Sequence, residues 1–317
     1  MTKNTLISVV LPAHNEEPNV QPMYDAVTAA LRSTGCDFEI LFVDDGSTDG
    51  TTDRICRLVS EKPNVRLLTF TRNFGHQAAL LAGLSVARGA AVITMDSDLQ
   101  HPPEQLPRMV AHWRAGSPIV QMVRRQSAEV TRFKRLSSRV FYHVINLLSE
   151  IRVPHDVADF QLLDRQVVQD LLKIRDSRLF LRGRIAWLGY PGTFMEYEAP
   201  PRSAGVASYS ILRSASLALS AVTALSSKPL RWAFYLGLVV GIVCFIYISY
   251  VLLLFLSGRP LEPGWASVII TVLFLGAIQL VTLGIFGEYL SNVLAGSRNL
   301  PPYIVGSDTG APDENSD

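Results

Sequence analysis

Cysteine is scarce and unpatterned: Cys36, Cys56 and Cys244 are odd in number, far apart and without metal-ligand spacing. That leaves no basis for a disulfide framework or a zinc site, and it fits a reducing compartment. Neither sign of charge is in excess, with 29 Lys+Arg against 28 Asp+Glu. No global field therefore recruits nucleic acid, and any site for an anionic partner must be local. Glycine is missing from the turn after the first apolar run, Pro12-Ala13-His14-Asn15-Glu16-Glu17. This excludes a G-x-G-x-x-G loop that would lay backbone amides on a pyrophosphate, and no Walker A loop occurs anywhere. A nucleotide bound here needs its phosphate charge neutralised by other means. The N-terminus shows no signal-peptide pattern, because Leu6 to Leu11 is a short apolar run ended by Pro12 and followed by polar residues. The soluble part is accordingly expected in the cytoplasm.

Long hydrophobic runs, by contrast, are present. No charge interrupts the chain between Arg231 and Arg259, or between Glu262 and Glu288. At ~1.5 Å per residue either stretch reaches ~37 Å or more as a helix, enough for a hydrocarbon core of ~30 Å with some tilt. The link Arg259 to Glu262, flanked by Pro260, Pro263 and Gly264, allows only a tight turn, which predicts a hairpin. Lys228, Arg231 and Arg298 flank its outer ends against Arg259 alone in the turn, so those ends are expected in the cytoplasm. Gly237, Gly241, Gly276 and Gly284 permit close helix packing, which leaves a homo-oligomer open.

The first half alternates strand-like runs (Ile7 to Leu11, Glu39 to Val43, Val65 to Phe70, Ala90 to Met95, Pro118 to Val123) with helical periodicity (Val20 to Leu31, Asp49 to Val59, His76 to Ala87, Pro103 to Trp113). Such alternation predicts a parallel sheet covered on both faces. Phe133 to Leu148 is helical by period, with Arg132, Arg135 and Arg139 aligned on its other side. That face reads either as a solvated polar surface or as an anion site at a membrane. Tyr209 to Ser227 reads as an amphipathic helix lying in the interface, with a core helix as the alternative. The tail from Gly306 to Asp317 is small, polar and acidic, and is expected to be disordered.

Two acidic clusters, Asp44-Asp45 and Asp96-Ser97-Asp98, each follow an apolar run. Ligands of open parallel sheets bind outside the carboxyl ends of strands, so both clusters are expected to face one cleft. Asp96 and Asp98 can hold a hard cation through oxygen ligands while diphosphate oxygens take its remaining positions, and Gln100 can add a carbonyl. Asp44 and Asp45 can accept from a base N–H or ribose hydroxyls, or simply cap their loop. Gly46-Ser47-Thr48-Asp49 reads as the cap of the next helix.

Taken together, Val43-Asp44-Asp45-Gly46-Ser47-Thr48-Asp49, Asn73-Phe74-Gly75-His76-Gln77, Asp96-Ser97-Asp98-Leu99-Gln100-His101-Pro102-Pro103-Glu104, Arg182-Gly183 with Trp187-Leu188-Gly189, and Gly287-Glu288-Tyr289-Leu290 resemble the inverting family 2 glycosyltransferases. The likeness is to their polyisoprenyl-phosphate subgroup, which includes bactoprenol glucosyltransferases and dolichyl-phosphate mannose synthases. It runs from about Ile7 to Val305. The resemblance implies an α/β, GT-A (Rossmann-like) cytoplasmic catalytic domain over residues 1–203. An interfacial amphipathic helix over 204–228 and a two-helix transmembrane hairpin within 229–297, with spans near 232–257 and 264–288, would follow. Residues 298–317 would return as a cytoplasmic tail, giving a multi-pass protein of the cytoplasmic membrane.

What the resemblance further implies is a hexose, glucose from UDP-glucose in the first instance, moved from a nucleotide sugar donor to a polyprenyl phosphate such as undecaprenyl phosphate. By position, Pro12, Ala13, Asn15, Glu16, Asp44, Asp45, Asp96, Ser97 and Asp98 would bind the donor, and Asp96, Asp98 and Gln100 a Mg2+ or Mn2+ ion. Asp159, with Asp98, would be catalytic, as the acid near the acceptor usually taken for a base. Arg124, Arg132, Arg135, Arg139 and Arg202 would meet the lipid phosphate. Three positions depart from the subgroup pattern: Gln161 in place of an arginine, Ser208 of a lysine and His101 of an acid. A phosphate monoester is largely a dianion at neutral pH, its second pKa being ~6, so the nucleophile hardly requires a base. Alternatives are mannosyl transfer from GDP-mannose to dolichyl or polyprenyl phosphate, and a non-catalytic membrane scaffold that keeps the fold. A processive synthase is disfavoured, since the Q-x-x-R-W element is absent and two spans cannot close a channel.

Overall fold

Fully buried strands need apolar residues on both faces, and the runs around the acidic clusters supply them. The computed structural model describes residues 5–125, 157–174, 181–198, 228–257, 264–298 and 300–309. Strands β1 (Leu6–Ala13), β2 (Asp37–Asp44), β3 (Val65–Phe70), β4 (Ala91–Thr94) and β5 (Ile119–Arg124) alternate with helices α1 (Glu17–Arg32), α2 (Thr51–Glu61), α3 (His76–Val86) and α4 (Leu106–Arg114). Then come β6 (Val157–Asp164), α5 (Arg165–Lys173), α6 (Leu181–Leu188) and β7 (Gly192–Tyr197). Two long helices, α7 (Lys228–Leu256) and α8 (Trp265–Ser297), precede a last strand, β8 (Val305–Thr309). The described residues fall into two compact units, one holding all the strands with α1 to α6, the other α7 and α8.

The eight strands make one sheet in the order β7-β5-β6-β4-β1-β2-β3-β8. Pairs β1/β2, β1/β4, β2/β3 and β5/β7 are parallel, whereas β6 runs antiparallel to both β4 and β5, and β8 antiparallel to β3. The sheet is therefore mixed, not parallel throughout as the alternation suggested. The reason lies in β6, whose run Val157-Ala158-Asp159-Phe160-Gln161-Leu162-Leu163 inserts between β4 and β5. Its reversed direction brings its first residues beside the carboxyl end of β4, Thr94 pairing with Gln161.

Strand periodicity divides the core between two faces. Val9 and Leu11 of β1, with Ile40 and Phe42 of β2, pack under α1, α2 and α4 through Met23, Val27, Ile55, Leu58 and Met109. Val10, Leu41 and Val43 face the other way, against Leu80 and Leu84 of α3, Val168 and Leu171 of α5, and Ile185 of α6. Helix α3 lies so close to β1 that a Cβ on Gly83 would collide with Val10 Cγ1. Alanine is favoured over glycine in a helix interior by about 1 kcal/mol, but forcing a methyl into a packed contact costs about 1–3 kcal/mol. Gly83→Ala is thus expected to lower stability by up to about 2 kcal/mol, read as an earlier urea midpoint with an unchanged slope. A gain in midpoint would show that the α3–β1 contact is loose.

The expectation of disorder from Gly306 onward fails for its first residues, since β8 carries Gly306 to Thr309 along the edge of β3. Backbone pairing and one buried charge outweigh the polar composition. Arg66, buried in β3, donates to Asp308 at 3.2 Å and to Val86 O at 3.0 Å, and lies 3.6 Å from Glu39. Tyr303 stacks on Phe70 at 5.1 Å just before β8 begins. The acidic residue that read as tail composition is the partner of a buried arginine.

Helices α7 and α8 touch one another and are long and apolar enough to cross a membrane. Their large side chains face outward: Phe245 and Leu280 are each 72% exposed, an apolar surface that water does not favour. Both helices extend beyond the expected spans, α8 running on to Ser297. The arginine-bearing segment Phe133 to Leu148, the expected interfacial helix Tyr209 to Ser227, and positions Arg132, Arg135, Arg139, Arg202 and Ser208 lie outside the described residues.

Candidate active site

The carboxyl ends of β1, β2 and β4 line one rim. Ala13 pairs with Asp44, the Asp45 N–H donates to Ala13 O at 2.9 Å, and Ser97 Oγ, buried, donates to Pro12 O at 2.6 Å. Pro12, Ala13, Asp44, Asp45 and Ser97 thus come together as expected, though Ser97 acts as a stitch between loops. Asn15, at φ 57, is also a tie: its N–H donates to Ser47 Oγ at 3.0 Å and its Oδ1 accepts from Thr48 N at 2.8 Å. Of the run Gly46 to Asp49, which composition marked as the cap of α2, only Asp49 serves the helix start, its Oδ1 accepting from Thr51 N at 3.0 Å. Gly50 is the N-cap with no side-chain bond, and the hydroxyls of Ser47 and Thr48 are spent on Asn15.

Asp44 and Asp45 have distinct local tasks. Asp44 accepts from Ser47 N at 3.0 Å and from the Thr52 hydroxyl, which shapes its own turn. Asp45 reaches across to the loop after β3, accepting from Phe74 N at 2.6 Å and Gly75 N at 2.9 Å. Two glycines make this possible. Gly75 at φ 98 takes a conformation an L side chain rarely adopts, and a Cβ on Gly46 would lie 2.6 Å from the Arg72 carbonyl carbon. With both oxygens engaged by backbone and only 3% exposed, Asp45 fixes the loop that starts α3.

Beyond β4 the loop presents Asp96 and Asp98. Asp98 Oδ1 accepts from Gln100 N at 3.0 Å, across Leu99 at φ 60. Asp96 lies between two imidazoles, His76 Nε2 at 3.3 Å from its Oδ1 and His101 Nε2 at 3.5 Å from its Oδ2. The Asp96 N–H donates to His101 Nδ1 at 2.9 Å. Burial pushes His101 down, which favours the neutral ring. Because Nδ1 accepts, the ring proton sits on Nε2 and faces the Asp96 carboxylate. His101 itself stacks on Phe160 at 5.1 Å and meets Tyr197 edge-on at 5.9 Å. A residue that sequence marked only as a departure is thus a buried prop that orients Asp96.

Asp159 lies on the other side of the same cleft. Arg182 grips it side-on, Nε to Oδ1 at 2.7 Å and Nη2 to Oδ2 at 2.9 Å, and Gln77 Nε2 donates to Oδ2 at 3.0 Å. Burial alone would raise its pKa, but the contacts from His76 and Arg182 and the arginine charge outweigh it. The Asp159 carboxyl is therefore held well below the usual range. His76 shows the opposite balance: burial lowers it, while Asp159 and Asp96 together raise it. Glu16 and Asp96 are both raised, first by burial and then by neighbouring acids, including Asp98 in each case.

Such crowding of acids suits a cation. Asp96 Oδ1 is buried with no hydrogen bond among the described residues, and the His76 ring at 3.3 Å meets its charge only in part. No group of three His, Cys, Asp or Glu able to hold an ion occurs among the described residues. An ion here would have to complete its shell with ligand oxygens, as a diphosphate provides. Of the arginines expected at the acceptor, Arg124 ends β5 and is exposed. His76, Gln77 and Arg182 went unassigned from sequence, although the Asn73 to Gln77 and Arg182-Gly183 motifs contain them.

Residues 8–172 match the family model described as glycosyl transferase family 2. The bactoprenol glucosyl transferase of Shigella phage SfV is 35% identical over 300 residues, covering 94% of this chain and 97% of that protein. The uncharacterized glycosyltransferase YkcC of Bacillus subtilis (strain 168) is 33% identical over 305 residues, covering 96% and 94%. Among solved structures, glucosyl-3-phosphoglycerate synthase from Mycobacterium tuberculosis, in complex with Mn2+ and uridine-diphosphate-glucose, superposes with a TM-score of 0.51 at 19% identity. That match covers 69% of this chain and 77% of the other.

Proposed function

This chain belongs to glycosyl transferase family 2, with a GT-A mixed sheet, and on that premise we propose that it transfers a hexose from a nucleotide diphosphate sugar to a polyprenyl phosphate at the cytoplasmic face of a membrane. The proposed donor is UDP-glucose and the proposed acceptor undecaprenyl phosphate, after the bactoprenol glucosyl transferases to which the chain is similar over nearly its whole length. One observation carries the reading. Asp96, whose buried Oδ1 has no hydrogen bond among the described residues and lies 3.3 Å from His76 Nε2, faces the Asp159–Arg182 pair across that ring, so a donor-side acid and an acceptor-side cation share one cleft.

In this reading Asp96 and Asp98, with Gln100 alongside, would hold a Mg2+ or Mn2+ ion. When bound, that ion offsets the negative charge that collects on the departing nucleoside diphosphate. Glu16 closes the acidic side of the cleft, and the loops pinned by Asp44, Asp45 and Asn15 shape the nucleotide floor. An acceptor phosphate oxygen forms the new bond to the anomeric carbon as the bond from that carbon to the donor diphosphate breaks on the opposite face, with inversion. The acceptor is already a dianion, so the task left to the protein is alignment and the pairing of two anions with positive charge. Arg182 supplies such charge and Asp159 orients it, and a carboxyl held so low is a poor proton acceptor. Arg124, and beyond the described residues Arg132, Arg135, Arg139 and Arg202, are proposed to complete the anion site.

Helices α7 and α8 are proposed to cross the membrane as a hairpin. Support comes from their length and apolar composition, each holding an 18-residue stretch apolar enough for a span. The scaffold alternative loses part of its basis, because Gln161 is fully buried in β6 and accepts from Gln121 at 3.3 Å. Its exchange for arginine concerns the interior of the sheet.

The test incubates membranes containing the chain with undecaprenyl phosphate and labelled UDP-glucose, then extracts into organic solvent. Label is expected in the organic phase, and its loss on chelation is expected with it. No extractable label from UDP-glucose, other UDP-hexoses or GDP-mannose would sink the proposal.

A further inference from the structure

The first turn of α3 touches both halves of the cleft. Gln77 uses both ends of its amide: Nε2 donates to Asp159 Oδ2 at 3.0 Å, and Oε1 accepts from Leu181 N at 3.1 Å. Only one orientation of the amide serves both partners, since an ionised carboxylate cannot donate and a backbone N–H cannot accept. Leu181 is followed at once by Arg182, whose guanidinium grips the same carboxylate through 2.7 and 2.9 Å contacts. Asp159 on β6 and Arg182 on α6 are therefore joined a second time, through a residue of α3. Beside Gln77, His76 Nε2 lies 3.5 Å from Asp159 Oδ2 and 3.3 Å from Asp96 Oδ1.

We propose that Gln77, with His76 next to it, is a positioning residue that sets the acceptor-side pair Asp159–Arg182 against the donor-side carboxylate Asp96. The inference rests on the functional reading above, which assigns those two sides. Its physical basis is sensitivity to register: transfer between two bound anions depends on line-up of the attacking oxygen, and an error of about 1 Å costs about 10²-fold. Without Gln77 the Asp159–Arg182 pair persists, but the first residue of α6 loses its hydrogen bond to α3, which loosens the placement of the arginine that follows it. Asp45, by pinning Phe74 and Gly75, holds the other end of the same short segment.

The test compares the full-length wild type with Gln77→Ala and Gln77→Glu in detergent. Initial rates are measured against undecaprenyl phosphate and against UDP-glucose, and UDP affinity in the presence of Mn2+ is measured by calorimetry without acceptor. Gln77→Ala is expected to lower kcat/KM for the acceptor about tenfold or more, while UDP affinity changes by less than about twofold. Gln77→Glu is expected to be worse, because it sets a carboxylate against Asp159 and cannot donate in its ionised form. A merely structural tie would lower Tm and leave acceptor kcat/KM of the folded enzyme unchanged, and that result overturns the inference. Equal weakening of UDP binding and acceptor use overturns it as well, since it marks general distortion. A wild type without transfer overturns the functional reading and this inference together. A wild type that turns over and is matched by Gln77→Ala overturns the inference alone.

Discussion

Asp98→Ala is expected to reduce glycosyl transfer by about 10²–10³-fold, the scale on which removal of one charge-stabilising group acts. The side chain has two tasks that the variant removes at once. Its charge belongs to the acidic rim with Asp96 and Glu16, and its Oδ1 accepts from Gln100 N at 3.0 Å, which holds the turn with Leu99 at φ 60. Asp98→Asn separates the two, since an amide oxygen still accepts from that N–H while the charge is gone. If charge is the active property, Asp98→Asn falls nearly as far as Asp98→Ala, and UDP binding loses its dependence on Mn2+ in both. Wild-type turnover by Asp98→Asn, with ion dependence intact, would assign Asp98 to the loop alone.

The second large effect concerns Asp159 and Arg182, and it discriminates between a base and an orienting pair. With the carboxyl depressed by Arg182 and His76 against the opposing pull of burial, Asp159 remains an anion through the whole range in which transfer is assayed. An acid limb in the pH–rate profile must then belong to another group, the acceptor phosphate being the natural one with its pKa of ~6. Removing the guanidinium in Arg182→Ala takes away the stabilising charge and raises the Asp159 pKa, making it a better base. A base mechanism therefore tolerates Arg182→Ala and fails in Asp159→Asn. The orienting mechanism fails in both, by about 10²-fold each, and the double variant is no worse than either single one because the residues act as a unit. High activity in Arg182→Ala beside an inactive Asp159→Asn would restore the base.

Asp159 and His76 also tie stability to pH, in opposite directions. A depressed carboxyl contributes stability above its unfolded pKa and loses it as pH falls through the folded value, so the Asp159 contribution is complete at neutral pH and declines only in strong acid. His76 runs in the opposite sense, its raised pKa stabilising the protonated ring at low pH and fading as pH rises.

The amino-acid sequence alone determined that apolar runs alternate with amphipathic ones, that acids stand at the ends of two of those runs, and that two later stretches are too apolar for water. These are properties of local pattern, and strand and helix periods express them directly: β1 to β5, the rim at Asp44 and Asp96, and helices α7 and α8 follow. Other features depended on contacts between residues distant in the chain. The antiparallel insertion of β6 brings Asp159 beside Asp96, and no local signal distinguishes it from one more parallel strand. His101 reads as an anomaly until its Nδ1 meets the Asp96 amide, and Asp308 reads as tail until Arg66 is buried beneath it. Burial is the physical reason. A polar group in water has many equivalent partners, whereas in the interior it must find one of its own, and only the assembled tertiary structure shows which.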